Sequence, residues 1–270
     1  MSNNPHESNR QSWNAATKQH HSHKPDLIER YKNGYNNLYA EETALLGDVR
    51  GQSLVHLQCN DGQDTLSIAN HLGAEVVGVD ISDEAIKFAQ QLAAETGIAG
   101  NFVRADIFEW FTDNSRLFDV VYTGYGAINW LSDIKRWGRG VAKSLKPNGK
   151  LVLIDFHPMM LMLGDNWQQA YDYMGGTEYS LGGVGDYVGD DWQGTFKNPH
   201  PSYEFAWGIA DIVTGLLEAG LRLQHLQEYP FVNGWQSFPD MRSDEKRRHY
   251  PPEDKPNLAL MFSIVATKSE

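Results

Sequence analysis

The sequence predicts an α/β protein built on an open, mostly parallel sheet. Short apolar runs alternate with helical patterns from residue 53 onward. The first unit, LVHLQCNDGQDTLSIA at 54–69, reads as a buried strand, a tight loop and a helix. The next run, VVGVDIS at 76–82, is a second buried strand ending in Asp80. That succession is how a parallel sheet holds a nucleoside. Loop amides and a helix N-terminus face the ligand, and a carboxylate one βαβ unit later accepts from ribose hydroxyls.

Taken in order, residues 1–12 are polar and aperiodic, which predicts a disordered tail. From 13 to 46 the pattern is helical, and Tyr31, Tyr35 and Tyr39 recur every fourth residue, placing three phenols on one helix face. Such a face either packs onto the domain or forms a lid. Strands are expected at SLVHL (53–57), EVVGVD (75–80), NFVRAD (101–106), FDVVYT (118–123) and KLVLIDF (150–156). Helices are expected near 63–72, 83–96 and 132–145. In the second of these Ser82 supplies the cap, Asp83 and Glu84 complement the dipole, and Ala85, Phe88, Ala89 and Leu92 form the buried stripe. Pro147 stops the third, and Pro147-Asn148-Gly149 turns the chain into strand five.

After strand five, residues 157–205 are rich in Gly, Trp and Tyr without periodicity, which predicts a functional cap insertion. A helix follows at 206–219, with Ile209, Ile212, Val213, Leu216 and Leu217 inward and Gly220 closing it. Two strands, LRLQHLQEY (221–229) and ALMFSIVATK (259–268), finish the sheet. Residues 13–270 read as one domain without internal repeats.

Composition narrows the function. No apolar run reaches the ~20 residues a membrane helix needs, and the first residues lack the apolar core of a secretory signal. One cysteine, Cys59, excludes an internal disulfide framework, so a cytoplasmic setting is expected. The net charge of −12 and a single short basic run, Lys246-Arg247-Arg248, beside Asp244 and Glu245, argue against a nucleic-acid partner. A small-molecule acceptor is favoured.

Five alternating strands, a helix and two closing strands, with Asp80 ending strand two, Asp106 ending strand three and LKPNGKLVLID leading into strand five, resemble the class I S-adenosylmethionine-dependent methyltransferases. The likeness covers about 50–158 by motif and 206–268 by pattern. It implies a Rossmann-like seven-stranded, mostly parallel sheet with helices on both faces, the last strand antiparallel, plus an N-terminal helical lid and the cap. It also implies S-adenosylmethionine as cofactor and S-adenosylhomocysteine as product. The family's first loop usually reads (D/E)xGxGxG. Here His56 takes the acidic position, and Gln58, Asn60 and Gly62 take the three glycine positions. Asparagine tolerates positive φ best among non-glycine residues, and the loop is similar to the LQCxxGQDT loop of a bacterial small-molecule branch.

By that resemblance Gln58, Asn60, Gly62 and Gln63 form the cofactor loop. Asp80 would hold the ribose with Ile81 on one adenine face. Asp106 would accept from the adenine amino group with Ile107 against the ring. Thr123 and Gly124 would lie beneath the methionine portion. A general base is needed only when the acceptor must lose a proton, and His157, directly after strand five, is the expected base. Tyr125, Asn129 and Trp130 would wall the acceptor site. The aromatic residues Trp167, Tyr171, Tyr173, Tyr179, Tyr187 and Trp192 would either shape an aromatic or cationic acceptor pocket or supply apolar mass to the cap. His20, His21 and His23 read as a histidine-rich segment rather than a metal site, and Cys59 as a small buried residue. Two rivals stand beside this reading: a nicotinamide-dependent oxidoreductase, which would need a glycine-rich loop and more parallel units, and a module that binds S-adenosylmethionine without turnover.

Overall fold

A computed structural model describes residues 4–188 and 196–270. Trp192 therefore lies outside the described residues. The central sheet comprises β1 (Ser53–Leu57), β2 (Glu75–Asp80), β3 (Asn101–Arg104), β4 (Phe118–Gly124), β5 (Leu145–Phe156), β8 (Leu221–Tyr229) and β12 (Met261–Lys268), in the order β3-β2-β1-β4-β5-β12-β8. The first five strands run parallel, and β12 is antiparallel to both β5 and β8. Chain order reverses direction between β1 and β4. That is the switch point where an open α/β sheet leaves a crevice at its strand ends.

Both faces of the sheet are covered, as the unbroken apolar strands require. Alternate residues of β1 divide between two cores. Val55 and Leu57 join the face packed by α6 (Ile107–Asp113), α7 (Ile134–Ser144) and α9 (Ile209–Glu218), while Leu54 joins the opposite face with Leu46 and Ile68. The helix α5 (Asp83–Thr96) is capped as its sequence requires, Ser82 Oγ accepting from the Ala85 amide at 3.1 Å.

Several boundaries differ from the sequence reading, each for a local reason. Of the expected tail, residues 1–3 lie outside the described residues and the rest is not loose: Pro5–Ser22 is a helix, α1, with Asn9, Ser12, Ala16 and Thr17 buried. Its low apolar content hid it, because its inward contacts are polar: Asn9 Nδ2 donates to Tyr203 O at 2.9 Å and its Oδ1 accepts from Tyr203 N at 2.7 Å. The three tyrosines do not share a helix face. The helix α2 (Leu27–Lys32) ends before Asn33-Gly34, where Gly34 takes φ +82°, and Tyr39 precedes a separate helix α3 (Ala40–Leu46). The helix after β1 is α4 (Gln63–Ser67), continued by a wider turn over Ile68–Leu72. Strand three stops at Arg104, because Asp106 caps α6 by accepting from the Phe108 and Glu109 amides at 2.8 and 3.2 Å. Leu217 faces outward, 52% exposed, while Ile212 and Leu216 are buried.

Beyond β5 a short helix α8 (Pro158–Leu161) leads into a hairpin of β6 (Thr177–Leu181) and β7 (Ser202–Ala206). A small sheet of β9 (Val232–Asn233), β10 (Arg242–Ser243) and β11 (Arg248–Tyr250) occupies the loop before β12.

Helices α7 and α9 cross at glycines. A methyl group at Gly138 would lie 2.6 Å from the Gly215 carbonyl oxygen, which is backbone and cannot swing away. Gly138→Ala gains up to about 1 kcal/mol of helix propensity and loses about 1–3 kcal/mol to overpacking. We expect a net loss of stability in urea unfolding; an unchanged or raised midpoint would show that the two helices separate freely.

Candidate functional site

The loop after β1 is a run of left-handed residues: Gln58 at φ 56°, Asn60 at 49° and Gly62 at 76°. These are the three positions that the sequence resemblance set against glycines, and all three take the left-handed conformation that favours glycine. Left-handed backbone costs an ordinary residue roughly 1–2 kcal/mol. Local bonds offset that strain. The Gln58 side-chain amide donates to Ala127 O at 2.7 Å, and the Asn60 backbone amide donates to Asp80 Oδ2 at 2.8 Å. At Gly62 nothing larger fits, because a Cβ would sit 2.7 Å from Ala89 Cβ and from the Phe102 ring.

Asp80 ends β2 and grips two chain segments. Besides Asn60, its Oδ1 accepts from the Ser82 amide at 2.8 Å. Burial raises its pKa to about 6, with the bonds from Ser82 and Asn60 opposing. Asp106, capping α6 just past the neighbouring strand, is also pulled upward by burial. The bond and charge of His6 and the two cap amides outweigh that and hold it below the usual carboxylate range. His56, at the family's acidic position, is buried, bonded to Thr65 Oγ1 at 2.8 Å, and pushed down to about 3 by burial, so it is neutral.

These groups open onto one cavity of about 550 Å³ at the switch point. Gln58, Asn60, Gln63, Asp80, Ile81, Asp106, Ile107 and Gly124 all line it. Three expected site residues do not. Gly62 turns the loop from behind. Thr123 is fully buried, its hydroxyl donating to Leu57 O at 3.2 Å. His157 is buried away from the cavity: Nδ1 accepts from the Met159 amide at 2.9 Å, capping α8, and Nε2 meets Glu228 Oε1 at 2.9 Å. Adjacent residues of an extended strand face opposite ways, so Phe156 reaches the cavity and His157 does not. With both ring nitrogens engaged elsewhere, His157 is removed as the base.

Asp155 is structural in this arrangement. It accepts from the Gly126 amide and, at 3.0 Å each, from those of Ala127 and Ile128, fixing the loop that carries Asn129 and Trp130. Both of those line the cavity. So does Tyr125, whose hydroxyl donates to Glu42 Oε2 at 2.8 Å; Tyr122 donates to Oε1 at 2.9 Å. Glu42 is fully buried, and burial together with the charge of Asp64 pushes it up to about 8.

The cavity's roof overlaps the expected N-terminal helical lid and cap, although its contacts were not legible in the sequence. It is α1 and the segment 183–188, with Trp13 edge-on to Trp130 at 5.4 Å and His20 Nε2 3.0 Å from Gly185 O. His6, Asn233, Glu204 and Arg247 also line the cavity and had no local motif, while Asp61 and Asp64 line it from within the loop motif without having been singled out. His21 stacks on Phe88 and His23 pairs with Asp186 at 2.8 Å; among the described residues no cluster is arranged to hold a metal. Trp167 packs on Phe238, Tyr187 lines this cavity, and Tyr171, Tyr173 and Tyr179 line a second one.

Comparison with known proteins agrees with the topology. Residues 55–149 match the family described as methyltransferase domain. The chain is similar to a ubiquinone/menaquinone biosynthesis C-methyltransferase of Idiomarina loihiensis, 32% identical over 133 residues, covering 47% of this chain and 50% of that protein. It is also similar to a 2-phytyl-1,4-naphtoquinone methyltransferase of Nostoc, 34% identical over 116 residues, covering 41% and 49%. The chain thus spans about half the length of the curated relatives it matches. Among solved structures, a putative S-adenosylmethionine-dependent methyltransferase from Listeria monocytogenes superposes with TM-score 0.60 at 17% identity, covering 85% of this chain and 96% of that one. One from Clostridium acetobutylicum gives 0.59 at 16%, covering 94% and 99%. The fold is that of the class I methyltransferases.

Glu42 makes the site's support pH-sensitive. A carboxyl whose pKa rises on folding contributes stability at low pH and loses it as pH climbs from its ordinary 4.5 to about 8. Asp64, raised to about 6 mainly by burial, titrates within the same window. Glu42→Gln keeps an uncharged group at the two phenols. In urea unfolding between about pH 5 and pH 8, the wild type should lose stability more steeply than the variant. Parallel profiles would mean that Glu42 is already ionised in the folded chain.

Proposed function

From a chain that carries a methyltransferase domain within a class I fold, we propose an enzyme that binds S-adenosylmethionine in the larger cavity and methylates a small molecule. One observation carries the reading most. Asp80 at the end of β2, Asp106 at the cap of α6 just past the neighbouring strand, and the left-handed loop after β1 all line one cavity at the topological switch point.

The residues present fit such a ligand. Four buried polar atoms on this wall, Tyr39 Oη, Gln58 Oε1, Asn129 Oδ1 and Asn233 Oδ1, have no partner among the described residues and suit a ligand with several donors. Asp80 already accepts two amides and, as a carboxylate, retains lone pairs for the ribose hydroxyls. Asp106 would take the adenine amino group, displacing or sharing the His6 bond, with Ile81 and Ile107 against the ring. Gln58, Asn60, Gln63 and Gly124 would border the methionine portion.

When bound, S-adenosylmethionine supplies an electrophilic methyl group on a cationic sulfur. The chain's own contribution is alignment and exclusion of water. The Trp13–Trp130 contact and the segment 183–188 close the roof, and Asp155 keeps the Tyr125–Trp130 wall in place. Single-cysteine usage supports a reducing, cytoplasmic setting.

Calorimetry on the full chain tests this. S-adenosylmethionine should bind, and Asp80→Ala should weaken it by about tenfold or more, the loss of roughly 1.4 kcal/mol of charged hydrogen bonding. An unchanged dissociation constant would remove Asp80 from the site, and absence of binding to the wild type would remove the cofactor. Ribose donors favour the ionised carboxylate, so affinity should fall as pH drops below about 6. A flat profile between pH 5 and 7 would contradict Asp80 as the ribose ligand.

A further inference from the structure

A second chamber of about 250 Å³ adjoins the first. Five described residues line both: Asn129, Phe156, Leu161, Glu204 and Trp235. Three are apolar and form the collar of a passage. The other two are bonded to each other, Asn129 Nδ2 donating to Glu204 Oε2 at 2.9 Å. Glu204 sits on β7, half-buried, and lines both chambers. Beyond the collar the walls turn aromatic, with Tyr173, Trp207 and Phe238 added to Phe156 and Trp235, whose rings lie 4.9 Å apart.

We propose that the smaller chamber receives a flat aromatic acceptor carrying a hydroxyl, and that Glu204 takes the hydroxyl's proton as its oxygen is methylated. This rests on the reading of the larger chamber as the cofactor site. Rings of Trp, Phe and Tyr select another ring by stacking and edge contacts. A carboxylate at the passage selects the reacting group: a neutral hydroxyl oxygen is a poor nucleophile until its proton leaves, whereas a neutral amine already presents a lone pair.

Burial raises Glu204 above the ordinary glutamate range against the single opposing bond from Asn129, which makes it a stronger base. Asn129 holds Glu204 in place through that bond and has its own Oδ1 buried without a partner among the described residues. The step balances. The O–H pair of electrons becomes the lone pair that forms the new O–CH₃ bond, and the proton passes to Glu204. The S–CH₃ bond breaks with its electrons remaining on sulfur, leaving a neutral thioether.

The test uses the full chain saturated with S-adenosylhomocysteine and 1-naphthol as probe, followed by tryptophan fluorescence. 1-Naphthol should bind, cyclohexanol should not, and Trp235→Ala should weaken 1-naphthol by about tenfold. In turnover with S-adenosylmethionine, Glu204→Gln should lower kcat on 1-naphthol by about 100-fold or more. Its KM and cofactor dissociation constant should stay within about threefold of wild type, because uniform binding is not what was removed. With 4-nitrophenol in mildly alkaline buffer, where the acceptor arrives ionised, that deficit should shrink by at least about tenfold.

Equal kcat in Glu204→Gln, or an equal deficit with both phenols, would overturn the base. Binding of cyclohexanol as tight as that of 1-naphthol, or no 1-naphthol binding to a chain that holds the cofactor, would overturn the aromatic chamber. The wild-type comparison of the two probes needs no variant to fold. A wild type that fails to bind S-adenosylmethionine at all would instead sink the underlying cofactor reading, a result visible before any acceptor is added.

Discussion

Asp80 holds the site together. One carboxylate at the end of β2 accepts the Asn60 amide from the loop after β1 and the Ser82 amide at the start of α5. Two of the loop's left-handed residues are not glycine, so that loop stores strain that a free chain would release. The Asp80 bond, the Gln58 contact to Ala127 and the tight seat of Gly62 against Ala89 and Phe102 together oppose release. The same carboxylate lines the cavity, so under the proposed function the group that shapes the loop also meets the ligand.

Around that point the polar interior is layered. Asp155 organises the loop after β4, and Glu42 anchors Tyr122 and Tyr125 from behind. Asp106 ties the cavity floor to α6 and, through His6, to α1 above. The helix α1 is held to the body at further places, Asn9 to Tyr203 and Asn14 to Asp83. These contacts are polar, the Asn9 pair buried and the Asn14–Asp83 bond half-buried.

The centre of the sheet was legible in the sequence because β1, β2, β4 and β5 are buried along most of their length and read as largely apolar runs between turn residues. The place of Asp80 on the cavity wall was legible because it ends a central strand at the switch point. The elements missed were those whose logic is not periodic. Helix α6 announces itself only by Asp106 with Glu109 three residues on, a capping signal obscured by reading the strand through to Asp106. Helix α1 buries asparagine, serine and threonine, so hydrophobic patterning passes over it. His157 illustrates the limit of position alone: a histidine just past a central strand points to the crevice or away from it according to a one-residue alternation, and here it points away. Glu204 was invisible for the opposite reason. It belongs to a hairpin distant in sequence from every motif, and only the folded chain sets it beside Asn129.

The most direct measurement is a crystal structure of the full chain with S-adenosylhomocysteine. The account predicts the ribose hydroxyls within about 3.2 Å of the Asp80 carboxylate, the adenine between Ile81 and Ile107, and the sulfur facing the passage guarded by Asn129 and Glu204. A ligand seated with its ribose away from Asp80, or its sulfur turned from that passage, would contradict it.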